Sequence, residues 1–177
     1  MIHTKALIYI LAIICHFAFV SCNKSDDPGN IEGEVKLYLI EEFEKSGGMF
    51  QIDEGTVVTK STPLLNYEDL LSYNASTFTF EISEAGISKV KNLKHSVHGI
   101  AFAFKANQEL IYTGYFWPSY SSMSCDWVTI DPTSIEHNGE GVVSLGYPGP
   151  HPGSRIPDKR NDARVIGIFK QDHKLIE

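Results

Sequence analysis

The sequence predicts an α+β fold: a mainly antiparallel sheet with helices on one face, and a C-terminal helix. Three observations carry this prediction. Residues 98–118 form the densest block of strand-forming residues, strand and helix patterns alternate over residues 77–93, and the last residues have an amphipathic helical pattern. Helices and hairpin-linked strands in this order are typical of an α+β domain.

Residues 98–118 predict a β-hairpin at the centre of the sheet. Ile100, Phe102 and Phe104 alternate with alanines, and strand-forming residues resume at Leu110 after a polar segment. An even loop over 106–109 predicts that Phe104 pairs with Ile111, Phe102 with Thr113 and Ile100 with Tyr115. The opposite face would then be small, because it would carry Ala101, Ala103, Tyr112 and Gly114.

Before the hairpin, alternating apolar residues predict a strand at 34–40, a charged loop at 41–48 and a weak hairpin over 49–59 around Glu54 and Gly55. Asn66 is typical of a helix N-cap, and 72–74 would end a short helix. Residues 77–82 predict a strand, and Ser83 caps a helix that ends near His95.

After the hairpin, residues 127–130 predict a strand that Asp131 and Pro132 stop, and residues 142–145 predict a last strand. Residues 146–160 contain four prolines and three glycines, which indicates an irregular arm. Asn161 or Asp162 would cap the C-terminal helix. Its inward stripe is predicted at Ala163, Ile166, Phe169 and His173.

The N-terminus has the pattern of an export signal. Lys5 precedes an apolar run over 6–20, which is shorter than the roughly 20 residues of a membrane span. Residues 19–22, Phe-Val-Ser-Cys, resemble the lipobox of bacterial lipoproteins. The resemblance implies a signal peptide over 1–21, a lipid on Cys22 and membrane attachment through that lipid. An ordinary secretory signal or a short membrane anchor is the alternative.

A polar segment separates Cys22 from the domain. Residues 22–31 predict a flexible tether, and residues 32–177 a single α+β domain. Residues 24–27, Lys-Ser-Asp-Asp, are similar to the acidic export signal of some outer-membrane lipoproteins of Bacteroidota, although any linker is polar. We therefore expect a cell-envelope, outer-membrane lipoprotein that is periplasmic or surface-exposed.

Charge and cysteine content exclude some classes of function. The chain has a net charge of −7, and the only basic residue within 1–21 is Lys5. An acidic domain of this kind is a poor nucleic-acid binder, so no nucleic-acid partner is expected. Cys125 is the one cysteine that remains after Cys15 and Cys22 are assigned to the signal and the lipid, which leaves no internal disulfide.

Two family resemblances extend this interpretation. Residues 78–86 read Phe-Thr-Phe-Glu-Ile-Ser-Glu-Ala-Gly, and Ile100-Ala101 open a hairpin that ends at Pro118. Together with the order of elements over 63–130, these residues resemble the first large periplasmic domain of the protein-export subunit SecD. This implies a ferredoxin-like core, without export activity because the transmembrane helices of that subunit are missing from the pattern. The whole chain is also similar to lipoproteins of Bacteroidota, which implies no reaction.

Several groups of polar residues are candidate sites. His95 and His98 are spaced like metal ligands but flank a helix end, so no metal is assigned. Ser124, Cys125 and Asp126 with His137 or His151 lack a nucleophile elbow. The acidic pairs lie in charged runs typical of solvated surfaces, and Arg155, Lys159 and Arg160 are better explained as balancing charges than as an anion site. No catalytic residue and no cofactor is assigned.

The aromatic residues after Gly114 are the best candidate for binding. Tyr115, Phe116 and Trp117 are consecutive, so one strand face cannot bury all three, and at least one aromatic is expected to be exposed or covered by the 146–160 arm. A partner surface is predicted at Tyr115, Trp117 and Tyr120. The sequence thus favours a lipid-anchored, non-catalytic binding domain for an envelope protein or glycan. The alternatives are an envelope hydrolase that uses His151 or His98 with an acid, and a purely structural envelope domain.

Overall fold

The computed structural model describes residues 33–150, 153 and 155–177. Within them, nine strands join in the order β2-β1-β5-β6-β7-β8-β4-β3-β9. All neighbouring strands are antiparallel except β6–β7 and β3–β9. The predicted α+β class, mainly antiparallel sheet and C-terminal helix are therefore confirmed. The strands are β1 (Val35–Glu42), β2 (Val58–Thr59), β3 (Leu70–Asn74), β4 (Thr79–Ile82), β5 (Ile100–Ala106), β6 (Glu109–Phe116), β7 (Cys125–Ile130), β8 (Glu140–Tyr147) and β9 (Leu175–Ile176).

Three α-helices and two 3-10 turns complete the described part of the chain. The helices are α1 (Glu84–Lys91), α2 (Pro132–Asn138) and α3 (Ala163–Gln171), and the 3-10 turns are Glu54–Thr56 and Tyr67–Asp69. Ser83 accepts a hydrogen bond from the Gly86 amide and caps α1 as predicted. Among these residues, no helix combines the length and the apolar character that crossing a bilayer requires.

The central hairpin is present, but its register differs from the prediction. Asn107 and Gln108 both have positive φ, which makes a two-residue turn of the type that matches strand twist. Ile111 is an extra residue in β6, so Phe104 pairs with Tyr112, Phe102 with Gly114 and Ile100 with Phe116. The bulge moves Tyr112 and Gly114 onto the face of Phe102 and Phe104, and the predicted small face was wrong.

Gly114 is needed at its position in β6. A Cβ on Gly114 would lie 2.6 Å from Cζ of Phe102 and 2.8 Å from the Val128 carbonyl oxygen. The missing side chain therefore leaves room for the Phe102 ring on its strand neighbour.

The sheet curves around its main core. Phe80 on β4 and Phe104 on β5 have ring centroids 5.3 Å apart, although four strand spacings of about 4.8 Å each separate β4 from β5 along the sheet. Contact over that distance requires the inner faces to turn toward each other. Phe169 of α3 fills the space between them and packs 5.8 Å from Phe80. Buried apolar side chains from all three helices belong to this one cluster, namely Val90, Ile135, Val165, Ile168 and Phe169.

Several predicted elements differ in detail. Asn66 forms a capping box with Asp69, but the turn ends there and Ser72-Tyr73-Asn74 continue as β3 instead of an irregular break. The 49–59 hairpin is replaced by a 3-10 turn and by β2, which pairs with β1. The strand β7 ends at Ile130 as predicted, and Asp131 and Pro132 also begin α2, which the sequence analysis did not predict; Asp131 accepts a hydrogen bond from the Thr133 amide.

The C-terminal helix begins at the predicted cap and has a different inward stripe. Asp162 accepts a hydrogen bond from the Arg164 amide. Phe169 is buried as predicted and Ile166 is half-buried against the core, whereas Ala163 and His173 are exposed and Val165 and Ile168 are buried. The prediction fails at its two ends: Ala163 is the first residue of α3, and His173 lies beyond its last residue, Gln171.

The predicted ferredoxin-like core is not confirmed. The strand β4 pairs with β3 and β8, and the β5–β6 hairpin pairs with β1 and β7. The helix α1 therefore connects two strands that are not neighbours in the sheet.

Replacing Phe104 with alanine should lower the free energy of unfolding by about 3–5 kcal/mol, because Phe104 is buried and touches both Phe80 and Tyr112. Chemical denaturation followed by tryptophan fluorescence measures the change. Val58→Ala is the control: Val58 is exposed, so its effect should stay within about 0.5 kcal/mol. A loss for Phe104→Ala no larger than that of the control would contradict the proposed packing.

Candidate functional site

The three aromatics predicted to bind a partner are not together on the surface. Tyr115 is 4% and Trp117 1% exposed, whereas Tyr120 is 64% exposed. Tyr115 and Trp117 belong to a second core cluster on the outer face of the hairpin, with Phe50, Ile52, Cys125 and Trp127. The excess of aromatics after Gly114 is thus buried on both faces of β6, which leaves Tyr120 as the exposed member of the predicted set.

A loop over residues 43–57 covers this second cluster. Phe50 packs edge-to-face on Trp117 with ring centroids 4.7 Å apart. The Asp126 carboxylate on β7 fixes the loop, since its oxygens accept hydrogen bonds from the Phe50 amide at 2.7 Å and the Met49 amide at 3.0 Å. A Cβ on Gly48 would lie 2.4 Å from that carboxylate, so glycine permits the close approach.

Glu54 ties the same loop to the rest of the fold. Its Oε1 accepts a hydrogen bond from the Thr113 amide at 3.1 Å, and its Oε2 pairs with Lys159 Nζ at 2.6 Å. The Thr113 hydroxyl accepts from the indole N–H of Trp127 at 2.9 Å. These contacts explain why the loop remains on the cluster and why Lys159 is not available to an external anion.

Cys125 does not have the environment of a nucleophile. The thiol is fully buried, and burial raises its pKa to about 12. Ser124 beside it is exposed, and Asp126 holds the loop amides. His137 is exposed on α2, and His151 lies outside the described residues. The side chains of this group therefore do not converge on a reacting centre in the described part of the chain.

The two histidines with metal-like spacing have separate environments. His95 Nε2 lies 3.1 Å from Glu136 Oε1 on α2, and His98 is exposed. Within residues 33–150, 153 and 155–177, no three His, Cys, Asp or Glu side chains lie close enough to hold a metal ion.

The charged runs divide into bonded and exposed groups. Asp69 is buried, pairs with Lys89 at 2.5 Å and accepts from the Asn66 amide at 2.8 Å. Arg160 pairs with Asp158, which lowers the carboxyl's pKa, and its guanidinium stacks on Phe78 3.6 Å from the ring centroid. These interactions hold the turn at Asp69 and the C-terminal end of the 146–160 arm against the rest of the domain. Glu41 and Glu42 are exposed at the end of β1, and Asp26 and Asp27 lie outside the described residues.

The outer face of strands β9, β3, β4 and β8 presents an open group of polar side chains. Register places Ser72, Glu81 and Glu140 side by side in one row across three strands. Two residues further along, Ile176, Asn74, Thr79 and Val142 form a second row across four. We call these the acidic row and the mixed row, and together the outer face. A depression of ≈ 380 Å³ lies here, lined also by Thr77 and Asn138.

The outer face has an uncompensated negative charge. Glu81 and Glu140 are direct cross-strand partners and both are exposed. The Ser72 hydroxyl donates to Glu81 Oε2 at 3.0 Å. Among the described residues, no lysine, arginine or histidine forms an ion pair with either carboxylate. Like charges directly opposite each other destabilise a sheet, so the repulsion between Glu81 and Glu140 lowers the stability of this fold.

The sequence analysis missed the outer face. The alternation at 79–82 is visible in the sequence, with Glu81 between Phe80 and Ile82. The pairing of Glu81 with Glu140 depends on the long-range register of β4 with β8, and β9 is only two residues long. The sequence signal for this face is the alternation of Glu81, Glu140 and Val142 with apolar or small residues, which are buried in the structure.

No protein-family model matches the chain, and no curated protein or solved structure is significantly similar to it. The assignment of function therefore depends on the geometry described above.

Alkylation of Cys125 tests the closed second cluster. At neutral pH we expect iodoacetamide to modify Cys125 slowly in the native protein and quickly in guanidinium chloride, because the thiol is buried and its raised pKa leaves little thiolate. Asp126→Ala removes the acceptor of two loop amides and should speed modification of the native protein. Mass spectrometry of the peptide that contains Cys125 gives the rates.

Ser124→Ala is the matched control, since Ser124 precedes Cys125 and is exposed. Its rate should equal that of the wild-type protein. Rapid native labelling of wild-type Cys125, or an Asp126→Ala rate no faster than the control, would contradict the account of the loop.

Proposed function

We propose that the protein is a lipid-anchored cell-envelope lipoprotein whose domain binds another envelope component without catalysis. The anchoring part of the proposal rests on the resemblance of residues 19–22 to a lipobox, with Cys22 as the lipidated residue. These residues lie outside the described part of the chain. The outer membrane, with the domain on its periplasmic or external side, is the location this proposal implies.

The outer face is the single observation that supports a binding role. It combines a depression of ≈ 380 Å³, hydroxyl and amide groups from Ser72, Asn74 and Thr79, and two unpaired carboxylates. Ile176 and Val142 are 48% and 40% exposed in the mixed row. Exposed aliphatic side chains beside polar groups are typical of protein interaction surfaces.

The binding surface proposed here replaces the one expected at Tyr115 and Trp117, because those side chains are buried. Tyr120 remains exposed on the connection between β6 and β7. The likeness of residues 63–130 to the SecD domain stays a hypothesis about the fold, and the proposed function does not depend on it.

Cys22→Ser tests the anchor. The variant should lose metabolic labelling with palmitate and move from the membrane fraction to the soluble fraction, because lipid attached to Cys22 provides the membrane contact. Cys125→Ser is the control and should keep both the label and the membrane fraction. Retention of label in Cys22→Ser would refute lipidation at this residue.

Site-specific photo-cross-linking tests the binding role. A photoreactive phenylalanine analogue at Val142 should give a discrete adduct in intact cells, since Val142 lies on the outer face. The same analogue at Val58, a similarly exposed valine on β2 at the far edge of the sheet, should give none. The Val142 adduct should disappear when Thr79→Arg places a bulky side chain beside Val142 in the mixed row.

Mass spectrometry of the adduct identifies the partner. No discrete adduct from Val142, or the same adducts from both positions, would overturn the binding role of the outer face.

A further inference from the structure

The two rows of the outer face have complementary character and a fixed spacing. The acidic row contains two carboxylates, and the mixed row contains two exposed aliphatic side chains. Glu81 and Thr79 are two residues apart on β4, so the rows are separated by about 6.8 Å along the strands. In an extended peptide, residues i and i+2 point to the same side with the same spacing.

The carboxylates of the acidic row have no cationic partner in the described part of the chain, unlike other acidic side chains of the domain. Elsewhere, buried Asp69 pairs with Lys89, and half-buried Asp162 pairs with Arg164. Glu81 and Glu140 lie opposite each other, and within the described part of the chain the Ser72 hydroxyl donates a hydrogen bond to Glu81. A guanidinium or ammonium group placed between them would remove their repulsion and form charge-assisted hydrogen bonds.

We propose that the outer face binds an extended protein segment in which an arginine or lysine lies two residues from an aliphatic side chain. The cationic group contacts Glu81 and Glu140, and the aliphatic side chain contacts Val142, which follows Glu140 by two residues on β8. This inference rests on the proposed function and names the chemistry of the partner.

Two other occupants fit the face less well. A metal ion needs more ligands than two carboxylates, and no third acidic or histidine side chain is close enough among the described residues. Glycans commonly stack their rings on aromatic side chains, whereas the exposed apolar residues here are Val142 and Ile176. An aliphatic side chain of a protein partner therefore fits this surface better than a sugar ring does.

The probe is a fluorescein-labelled, end-blocked peptide with the sequence leucine-serine-arginine-serine-leucine. Fluorescence anisotropy with the full-length protein in a neutral detergent measures its binding. A matched peptide with citrulline in place of arginine has the same shape without the charge, and a third peptide has alanine in place of both leucines. We expect either change to weaken binding at least about 3-fold at low salt, and about 0.3 M salt to weaken the arginine peptide selectively.

Glutamine variants locate the contact. Glu81→Gln and Glu140→Gln should each weaken binding of the arginine peptide about 2–5-fold and leave the citrulline peptide unchanged. Each should also raise the Tm of the free protein by up to about 4 °C, because the like-charge pair is removed. Glu42→Gln, an exposed acid on β1, is the control and should change neither measurement.

The results separate this inference from the proposed function. Equal binding of the arginine and citrulline peptides, or glutamine variants that bind like the wild type, would overturn it. Calcium binding that excludes the arginine peptide would overturn it as well. If the Val142 adduct forms in cells and the arginine preference is absent, the outer face still binds a partner and only the partner's chemistry is wrong.

Discussion

The rest of the fold depends on the β5–β6 hairpin being buried on both faces. Phe102, Phe104 and Phe116 point to the inner face, whereas Tyr115 and Trp117 point to the outer one. A strand buried on two sides needs two covering layers. The curved inner side of the sheet and α3 provide one, and the loop over residues 43–57 provides the other. Asp126, Gly48 and Glu54 matter because they hold the second layer in place without a disulfide.

The other half of the sheet is buried on one face only. Strands β9, β3, β4 and β8 turn Leu175, Tyr73, Phe80 and Val143 toward the main core and leave their second face to solvent. This asymmetry places the outer face on a rigid support, since core residues such as Tyr73, Phe80 and Val143 lie directly beside its side chains along the strands. A binding surface supported in this way needs little rearrangement when a partner docks.

Local sequence signals predicted the elements that depend on local physics. Ser83 and Asp162 cap the helices as expected, and the alternation at 100–104 produced a strand. The alternation of residues does not reveal the Ile111 bulge, which reversed the faces of β6. Another failure comes from a long-range contact. Trp117 was predicted to be exposed because the sequence does not show that residues 43–57 return to cover it.

Acidic side chains on this domain show what the outer face lacks. Asp69 binds Lys89 and the Asn66 amide, Asp126 binds two loop amides, and Glu54 binds Lys159. Each of these carboxylates stabilises the fold through its partner. Glu81 and Glu140 instead oppose each other in a sheet, where repulsion lowers stability. Unfavourable interactions of this kind concentrate where a protein binds or reacts. Because the two opposed carboxylates also adjoin exposed Val142, a cation from a binding partner would remove the electrostatic repulsion on the outer face.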